Sequence, residues 1–375
     1  MRLLHVVSDL DVGGAEIMLA KLVSMTDKTR FNQIVVSLTD RGRLGEQIES
    51  YGVPVHVLGM KRGRPNLVAL ARLVRLVKQY KPDIVHSWLY HADLISTAAV
   101  RLVEHPVLAW NIRCSDMDLR YYRPLTRWIL RMLTWLSRIP RAVVVNSEAG
   151  REQHHAMGYR PRRWEVIPNG FDVDQFRPDA AYRAARRAEW NLSDDSVAVA
   201  LIARVDPMKD HETFLDAARQ VSALRRDIHF VLIGKGTEQL REGVEARGLR
   251  DQVRLLGYRS EIQMMLPGID IVCLSSAFGE GFPNILGEAM ACGVPCISTD
   301  VGDARRIIAE TGLIVQPRDA GALGRAILDL ADRGVDARRA LGRQARQRIE
   351  AEYSLMKIVR QYESFYSSLV TCAPV

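Results

Sequence analysis

Short runs rich in valine and isoleucine alternate with longer amphipathic stretches along the whole chain, and this alternation limits the fold more than any other feature. Short apolar runs between turn signals are typical of strands that are buried on both faces. The stretches between them have the periodicity of helices that cover a sheet. Repeated strand and helix units of this kind form parallel sheets, so the sequence predicts an α/β fold.

Two groups of strands are expected. They lie near residues 3–7, 33–38, 55–58, 84–87, 107–110, 142–146 and 165–167, and then near 197–203, 229–233, 253–255, 271–274, 295–298 and 313–315. The intervening segment VIPNGFDVDQFRP contains Pro168, Gly170 and Pro178, which interrupt regular structure. We therefore predict Rossmann-like domains at 1–168 and 169–355, facing across a cleft, with a final helix at about 356–375 packing back on the first.

The apolar fraction of 47% and the charged fraction of 26% are those of a folded globular protein. The apolar stretch after Arg2 stops at Ser8, which is too short for a signal peptide or a membrane span. Five cysteines, with no C-x-x-C pair, suggest neither a disulfide framework nor a zinc site. A cytoplasmic location is the expectation.

Positive charge is concentrated in the first half, where residues 1–170 hold 25 Lys and Arg against 15 Asp and Glu. A basic amphipathic helix is predicted at 120–141. Its arginines, Arg120, Arg123, Arg127, Arg131 and Arg138, share one side, whereas Leu125, Trp128, Ile129, Met132, Trp135, Leu136 and Ile139 share the other. Such a helix either packs on the sheet with its arginines in water or docks on an anionic membrane. Nucleic acid is disfavoured as a partner, because no recognition motif accompanies the helix.

The segment CLSSAFGEGFPNILGEAMACGVPCIST begins in a strand, passes through a glycine-rich loop and opens a helix. Pro283 suits the first helical turn, and Gly293 and Pro295 mark the end of the helix. A loop of this kind aims free backbone N–H groups at the mouth of the sheet. The turn formed by Phe282, Pro283 and Asn284 is thus ready to hold a phosphate or a sugar oxygen.

Two carboxylates bracket this turn, Glu280 in the loop and Glu288 about one turn inside the helix. Carboxylates only accept hydrogen bonds, which suits them to vicinal hydroxyls such as those on both the ribose and the hexose of a nucleotide sugar. On spacing alone, the two residues are also compatible with a structural role at a helix N-terminus.

Glu280, GFPNILG and Glu288, followed by AMACGVPCIST, resemble the E-x7-E signature of glycosyltransferase family 4, which has the GT-B architecture. The resemblance extends to GGAE at 13–16, to VIPNGFD at the junction and to ARVDPMKD at 203–210. It implies that Glu280 binds the transferred sugar and Glu288 the ribose, and that Arg204 and Lys209 grip the diphosphate. It also implies a retaining, metal-independent reaction with no cofactor besides the nucleotide sugar donor.

Gly13 and Gly14 follow the first strand and precede a helix, so their backbone can approach the donor phosphate. The pattern differs from G-x-G-x-x-G, which lowers the odds of a nicotinamide or flavin site. A purely structural glycine turn remains the alternative.

The chain departs from the family pattern after the fifth strand, where many members place a histidine and this sequence reads LAWNIRCSD. Arg113 is the nearest polar candidate for that role, and His91 in HSWLYHAD is the other. The sequence does not decide between them.

A glycosyltransferase that moves a hexose to a glycan or lipid-linked acceptor, in surface polysaccharide synthesis, is therefore the predicted function. A nucleotide-sugar epimerase or phosphorylase of the same fold would need no second acceptor molecule. A non-catalytic sugar-nucleotide-binding or membrane-binding module would bind the donor without turnover.

Overall fold

A computed structural model describes residues 1–11, 13–61, 66–103, 106–113 and 124–371. The chain divides into two compact units, which are described separately below. Unit 1 comprises Met1–Gly170 with Leu355–Val375, and unit 2 comprises Phe171–Ser354. The division after residue 170 lies two residues beyond the boundary that the sequence suggested.

Unit 1 contains a parallel sheet with the order β3-β2-β1-β4-β5-β6-β7. Its strands are β1 (Arg2–Val7), β2 (Asn32–Ser37), β3 (Val55–Val57), β4 (Ile84–Trp88), β5 (Val107–Ile112), β6 (Ala142–Val145) and β7 (Trp164–Val166). The helices between them are α1 (Gly14–Met25), α2 (Gly42–Ser50), α3 (Leu67–Tyr80), α4 (Tyr90–Arg101), α5 (Pro124–Leu136) and α6 (Glu148–Ala156).

Unit 2 repeats the design with a parallel sheet of order β10-β9-β8-β11-β12-β13. Its strands are β8 (Val197–Ile202), β9 (Ile228–Ile233), β10 (Val253–Leu255), β11 (Ile271–Leu274), β12 (Cys296–Thr299) and β13 (Gly312–Val315). Its helices are α7 (Ala180–Glu189), α8 (His211–Leu224), α9 (Arg241–Ala246), α10 (Ile262–Met265), α11 (Asn284–Ala291), α12 (Ala304–Ile308), α13 (Ala320–Asp332) and α14 (Gly334–Glu352). Short 3-10 turns cover Pro207–Lys209, Thr237–Leu240, Leu266–Gly268 and Ala309–Thr311.

The predicted fold class is confirmed, since every strand expected from the sequence occurs with its ends shifted by two residues at most. In each sheet the strand order reverses beside the first strand of the unit, between β1 and β4 and between β8 and β11. Open parallel sheets bind their ligands outside the carboxyl ends of the strands at such switch points. A ligand site is therefore expected in the loops that follow these four strands.

A final helix, α15 (Leu355–Thr371), belongs to unit 1 although unit 2 precedes it in the chain. Its apolar side is fully part of the unit 1 core that also holds residues of β1, β2, β4 and α1. A buried hydrogen bond of 2.9 Å joins the Tyr366 hydroxyl to Nδ1 of His86 on β4. These contacts fix α15 to one face of the first sheet.

Helix α5 buries Ile129, Leu130 and Leu133, but its two tryptophans lie on the solvent side. Trp128 is 55% exposed and Trp135 is 81% exposed. The predicted division into an arginine side and an apolar side was wrong for these tryptophans, because the three aliphatic residues already fill the contact with the unit. Arg120 and Arg123 lie outside the described residues. Among the described residues, no helix has both the length and the apolar character needed to cross a bilayer.

Candidate functional site

Two loops of unit 2 meet at the switch point between β8 and β11. The first loop, residues 203–210, follows β8 and contains the 3-10 turn Pro207–Lys209. The second, residues 275–283, follows β11 and leads into α11. The Ala277 N–H donates to the Met208 carbonyl at 2.8 Å, and the Ser275 hydroxyl donates to the Lys209 carbonyl at 2.8 Å. The two loops are therefore joined by a backbone hydrogen bond and by a hydrogen bond from a serine side chain.

Glu280 lies at the centre of this arrangement. Its Oε1 forms an ion pair with Lys209 Nζ and accepts a hydrogen bond of 2.6 Å from the Ser276 hydroxyl. The side chain of Glu280 is 8% exposed and that of Lys209 is 15% exposed. Because the pair is largely buried, solvent screens the attraction between the two charges only a little. Removing one partner would leave the other as an uncompensated buried charge. The structure thus brings together two residues that are 71 positions apart in the sequence.

The loop after β12 packs against the backbone of Glu280 and Gly281 and fixes the position of Glu280. The Asp303 N–H donates to the Gly281 carbonyl at 2.9 Å. Gly302 has a φ of +55°, and a Cβ atom at this position would lie 2.4 Å from the Glu280 carbonyl oxygen. Only glycine allows the backbone of residues 280 and 281 to approach so closely.

A Gly302→Ala variant is expected to lose stability and activity together. The left-handed backbone costs a side chain about 1–2 kcal/mol, and the overlap with the Glu280 carbonyl adds about 1–3 kcal/mol. Gly334→Ala is the matched control, since Gly334 also has a positive φ of +81° but nothing lies within 4 Å of its Cβ position. Urea unfolding and a transfer assay should show a larger loss for Gly302→Ala; equal losses would contradict this account of the loop.

Helix α11 begins one residue later than predicted, with Pro283 as its N-cap residue and Asn284 as its first residue. Phe282 is buried and stacks on Phe171 with ring centroids 6.1 Å apart. The ring of Phe171 would also lie 2.1 Å from a Cβ atom at Gly287, so α11 packs directly on Phe171. The turn from 282 to 284 is consequently anchored by its side chains, and a helix start offers N–H groups to an anion.

Glu288 is half-buried in α11, one turn beyond the helix start. Burial raises the pKa of the Cys292 thiol to about 12, and the negative charge of Glu288 contributes to that rise. Glu288 therefore lies close enough to Cys292 for its charge to act there.

Arg204 lies in the loop after β8, and its side chain is 62% exposed. Its Nε atom pairs with Asp206 Oδ2 at 3.2 Å, within the same loop. Asp206 also accepts a hydrogen bond of 3.0 Å from the Met208 N–H, which sets the turn that carries Lys209. An exposed ion pair of this kind is weak, so the guanidinium is available to a stronger anion.

In unit 1, Gly13 and Gly14 lie between the end of β1 and the first turn of α1. Gly13 is the N-cap residue of α1, and a Cβ atom there would lie 2.3 Å from Oε2 of Glu16. Glu16 is buried, so a side chain at position 13 would displace a carboxylate that has little room to move. This contact explains in structural terms why residue 13 is a glycine. Gly14 is exposed, so its backbone is open to solvent.

His91 lies in the first turn of α4, after β4, and is half-buried. Burial lowers the pKa of His91 below its ordinary value, which favours the neutral imidazole at pH 7. The preceding N-cap residue, Leu89, has φ +72° and ψ 157°. Side chains other than glycine rarely adopt this conformation, and such strain concentrates at functional sites.

Arg113 follows β5 and is engaged within unit 1. Its Nη1 donates to Asn169 Oδ1 at 2.5 Å, and its Nη2 donates to the Tyr362 hydroxyl at 2.8 Å. The guanidinium carbon also lies 5.1 Å from the ring centroid of Trp88. These contacts connect the end of β5 to α15, so Arg113 has a structural role within unit 1.

Sequence reasoning missed the supporting residues Ser275, Ser276 and Gly302. They follow the end of β11 or β12 by one to three residues, and this position in the loop after a strand was the available signal. Among the described residues, no group of three or more His, Cys, Asp or Glu side chains is arranged to hold a metal ion.

Two family models match the chain. The model described as "Glycosyltransferase Family 4" matches residues 12–175, and the model described as "Glycosyl transferases group 1" matches residues 183–348. The two matches follow the two units of the structure.

Curated relatives and solved structures agree with these matches. The chain is 29% identical to the phosphatidyl-myo-inositol mannosyltransferase of Mycobacterium leprae, over 76% of this chain and 74% of that protein. It is 22% identical to an Escherichia coli UDP-Gal:alpha-D-GlcNAc-diphosphoundecaprenol alpha-1,3-galactosyltransferase, over 81% and 80%. Structures of Anabaena Alr3699/HepE with UDP and with UDP-glucose superimpose with TM-scores of 0.85 and 0.83, both at 21% identity and covering 98% of this chain and 100% of that chain. The chain is therefore a glycosyltransferase of the GT4 type with the GT-B fold.

Proposed function

We propose that the protein transfers a hexose from a nucleotide diphosphate sugar to a glycan or lipid-linked acceptor, with retention of anomeric configuration and without a metal ion. The Lys209–Glu280 ion pair at the β8/β11 switch point carries this proposal. It places a cation and an acceptor of hydrogen bonds side by side, at the edge of a sheet where nucleotide ligands bind. Relatives that act on a UDP-galactose donor and bind UDP-glucose support the choice of donor.

In this proposal Glu288 binds the ribose, Arg204 and Lys209 bind the diphosphate, and Glu280 accepts hydrogen bonds from the hexose. The backbone of Gly13, Gly14 and the Phe282–Asn284 turn approaches the donor phosphates. A leaving nucleoside diphosphate gains negative charge, which fixed cations and helix-end N–H groups stabilise. Unit 1 binds the acceptor, and either His91 or Arg113 lies closest to the reacting sugar.

The bond between the anomeric carbon and the phosphate oxygen breaks, and the acceptor oxygen bonds to the anomeric carbon from the same face. The leaving phosphate oxygen takes the proton of the acceptor hydroxyl, so no covalent sugar–enzyme intermediate is needed. Oε1 of Glu280 is engaged by Lys209 and Ser276, which makes it a poor nucleophile and supports a route without a covalent intermediate.

The test is to incubate the full chain with UDP- and GDP-sugars and candidate acceptors in excess EDTA. The proposal expects transfer only when an acceptor is present, and NMR of the product should show an anomeric configuration equal to that of the donor. Activity that EDTA abolishes and magnesium restores would refute metal independence. An inverted product would refute retention, and turnover without an acceptor would indicate an epimerase instead.

We also propose that α5 docks unit 1 on the anionic cytoplasmic face of a membrane, in keeping with a lipid-linked acceptor. The solvent side of α5 and the turn after it presents Arg127, Trp128, Arg131, Trp135 and Arg138. Tryptophan favours the boundary between water and lipid, and each arginine near an anionic surface contributes about 1 kcal/mol. The diphosphoundecaprenol acceptor in the name of the Escherichia coli relative supports this second proposal.

Flotation with phosphatidylcholine vesicles that contain phosphatidylglycerol should recover the protein with the lipid. Arg131→Gln should weaken binding about fivefold, which corresponds to about 1 kcal/mol, and the Trp128→Ala/Trp135→Ala variant should weaken it further. Leu224→Ala is the control, because Leu224 is 71% exposed on unit 2 and lies far from α5 in the sequence. Equal recovery with and without phosphatidylglycerol, or no recovery at all, would remove the proposal.

A further inference from the structure

Unit 2 contains a cavity of about 260 Å³ at the opposite edge of its sheet from the Lys209–Glu280 pair. Asp270 and Pro295 line it, and these residues directly precede strands β11 and β12. In a parallel sheet the amino ends of the strands lie at one edge and the carboxyl ends at the other. The cavity is therefore separate from the loops that follow β8 and β11.

Three arginines, Arg183, Arg338 and Arg339, line the cavity, and we call it the arginine cavity. Its two carboxylates, Asp270 and Asp179, already have partners. Asp270 pairs with Arg183 at 2.7 Å and with Arg187 at 2.9 Å, and it accepts from the Ala198 N–H at 2.8 Å. Asp179 caps α7 by accepting from the Tyr182 N–H at 2.9 Å. The cavity is thus left with an excess of positive charge.

Arg338 and Arg339 have no carboxylate partner among the described residues. Arg338 donates to the Ala331 carbonyl at 2.6 Å and to the Leu330 carbonyl at 3.3 Å, which holds its guanidinium at the cavity wall. Burial lowers the pKa of Arg338, and the Asp270 carboxylate opposes this effect. The neighbouring guanidiniums, among them those of Arg183 and Arg339, lower the pKa further. Like charges gathered in one place repel, so an anion bound among them would stabilise the group.

The remaining walls are largely apolar and include Pro178, Pro267, Ile269, Val294 and Val335. A guanidinium has a planar fork of N–H donors that matches a phosphate group with two parallel hydrogen bonds. Apolar walls with a few convergent polar groups are typical of small-molecule sites. The occupant that fits is an anion joined to an apolar ring or chain.

We propose that the arginine cavity binds a small phosphorylated molecule whose phosphate contacts Arg338 and Arg339 and whose apolar part lies against Pro178, Ile269 and Val294. The site is distinct from the one proposed for the donor, and it gives unit 2 a second ligand-binding position.

Phenyl phosphate is the probe, and isothermal titration calorimetry on the full chain is the measurement. Binding should persist in Lys209→Met, because that variant alters only the proposed donor site. Arg339→Gln should weaken binding about tenfold or more, as expected for the loss of a charge-assisted contact. Phenol should not bind, and inorganic phosphate should bind more weakly than phenyl phosphate.

Arg343→Gln is the matched control, since Arg343 is exposed on the same helix, α14, and does not line the cavity. Arg339 is also exposed, so Arg339→Gln should retain the melting temperature of the wild type, and a loss of binding in that variant can be assigned to the lost contact. The proposal is overturned if phenyl phosphate does not bind, if Lys209→Met abolishes binding, or if Arg339→Gln and Arg343→Gln bind equally well. Equal affinity for inorganic phosphate would contradict the assignment of the apolar walls.

Discussion

Replacing Glu280 by glutamine is expected to lower kcat by about 10²–10³-fold, which corresponds to about 2.7–4 kcal/mol of transition-state stabilisation. The carboxylate is 8% exposed and is held by Lys209 and Ser276, so it is already oriented before the sugar arrives. Glutamine keeps the size of the side chain but loses the charge that strengthens hydrogen bonds from the sugar hydroxyls as the bond breaks. An interaction made mainly in the transition state should change kcat more than the KM for the donor.

Steady-state kinetics with the donor and acceptor found by screening measure this effect. Glu242→Gln is the control, because Glu242 is exposed in the first turn of α9, in the same unit. Melting temperatures of both variants separate lost chemistry from lost folding. Transfer by Glu280→Gln within a few-fold of the wild type would mean that Glu280 has no part in the reaction.

A Lys209→Met variant is expected to lower kcat/KM for the donor by about 30- to 1,000-fold, or about 2–4 kcal/mol. Two effects combine. The donor diphosphate loses a cation, which weakens both binding and turnover. Glu280 also loses its counter-charge while remaining buried. An unpaired buried carboxylate has a high free energy, so the side chain is expected to move from its position.

Because Lys209 and Glu280 contact each other, their effects should not add. The Lys209→Met/Glu280→Gln variant should be less impaired than the sum of the single variants, by about 0.5–3 kcal/mol. Arg250→Ala, which removes an exposed cation from the same unit, should behave as the wild type. Strict additivity would indicate that the pair has no functional coupling, and a donor KM unchanged by Lys209→Met would contradict its place at the diphosphate.

The fold was predictable because the inner strands of both sheets, such as β4, β6, β8 and β11, are short apolar runs that are buried on both faces and bounded by turn residues. Predictions failed where tertiary packing decides. Helical periodicity assigned Trp128 and Trp135 to the apolar side of α5, yet the aliphatic residues of the helix make the contact and leave both rings in water. Propensity suggested Pro283 in the first helical turn, and it is the N-cap residue instead.

The sequence predicted which loops form the site but not which side chains contact each other there. Strand ends identified the neighbourhoods of Arg204, Lys209 and Glu280, but spacing along the chain could not show that Lys209 and Glu280 form an ion pair. It also could not show that Arg113 meets Tyr362, since 249 residues separate them. Contacts between residues so distant in sequence depend on the register of the whole fold.

The return of α15 to unit 1 has a consequence for the order in which the protein is made. Leu355, Ile358, Val359, Tyr362, Phe365, Tyr366 and Leu369 complete the core of that unit. During synthesis on the ribosome these residues emerge last, after the whole of unit 2. Unit 1 therefore cannot complete its core until the last helix has been made, and a chain that ends before α15 would leave part of that core exposed.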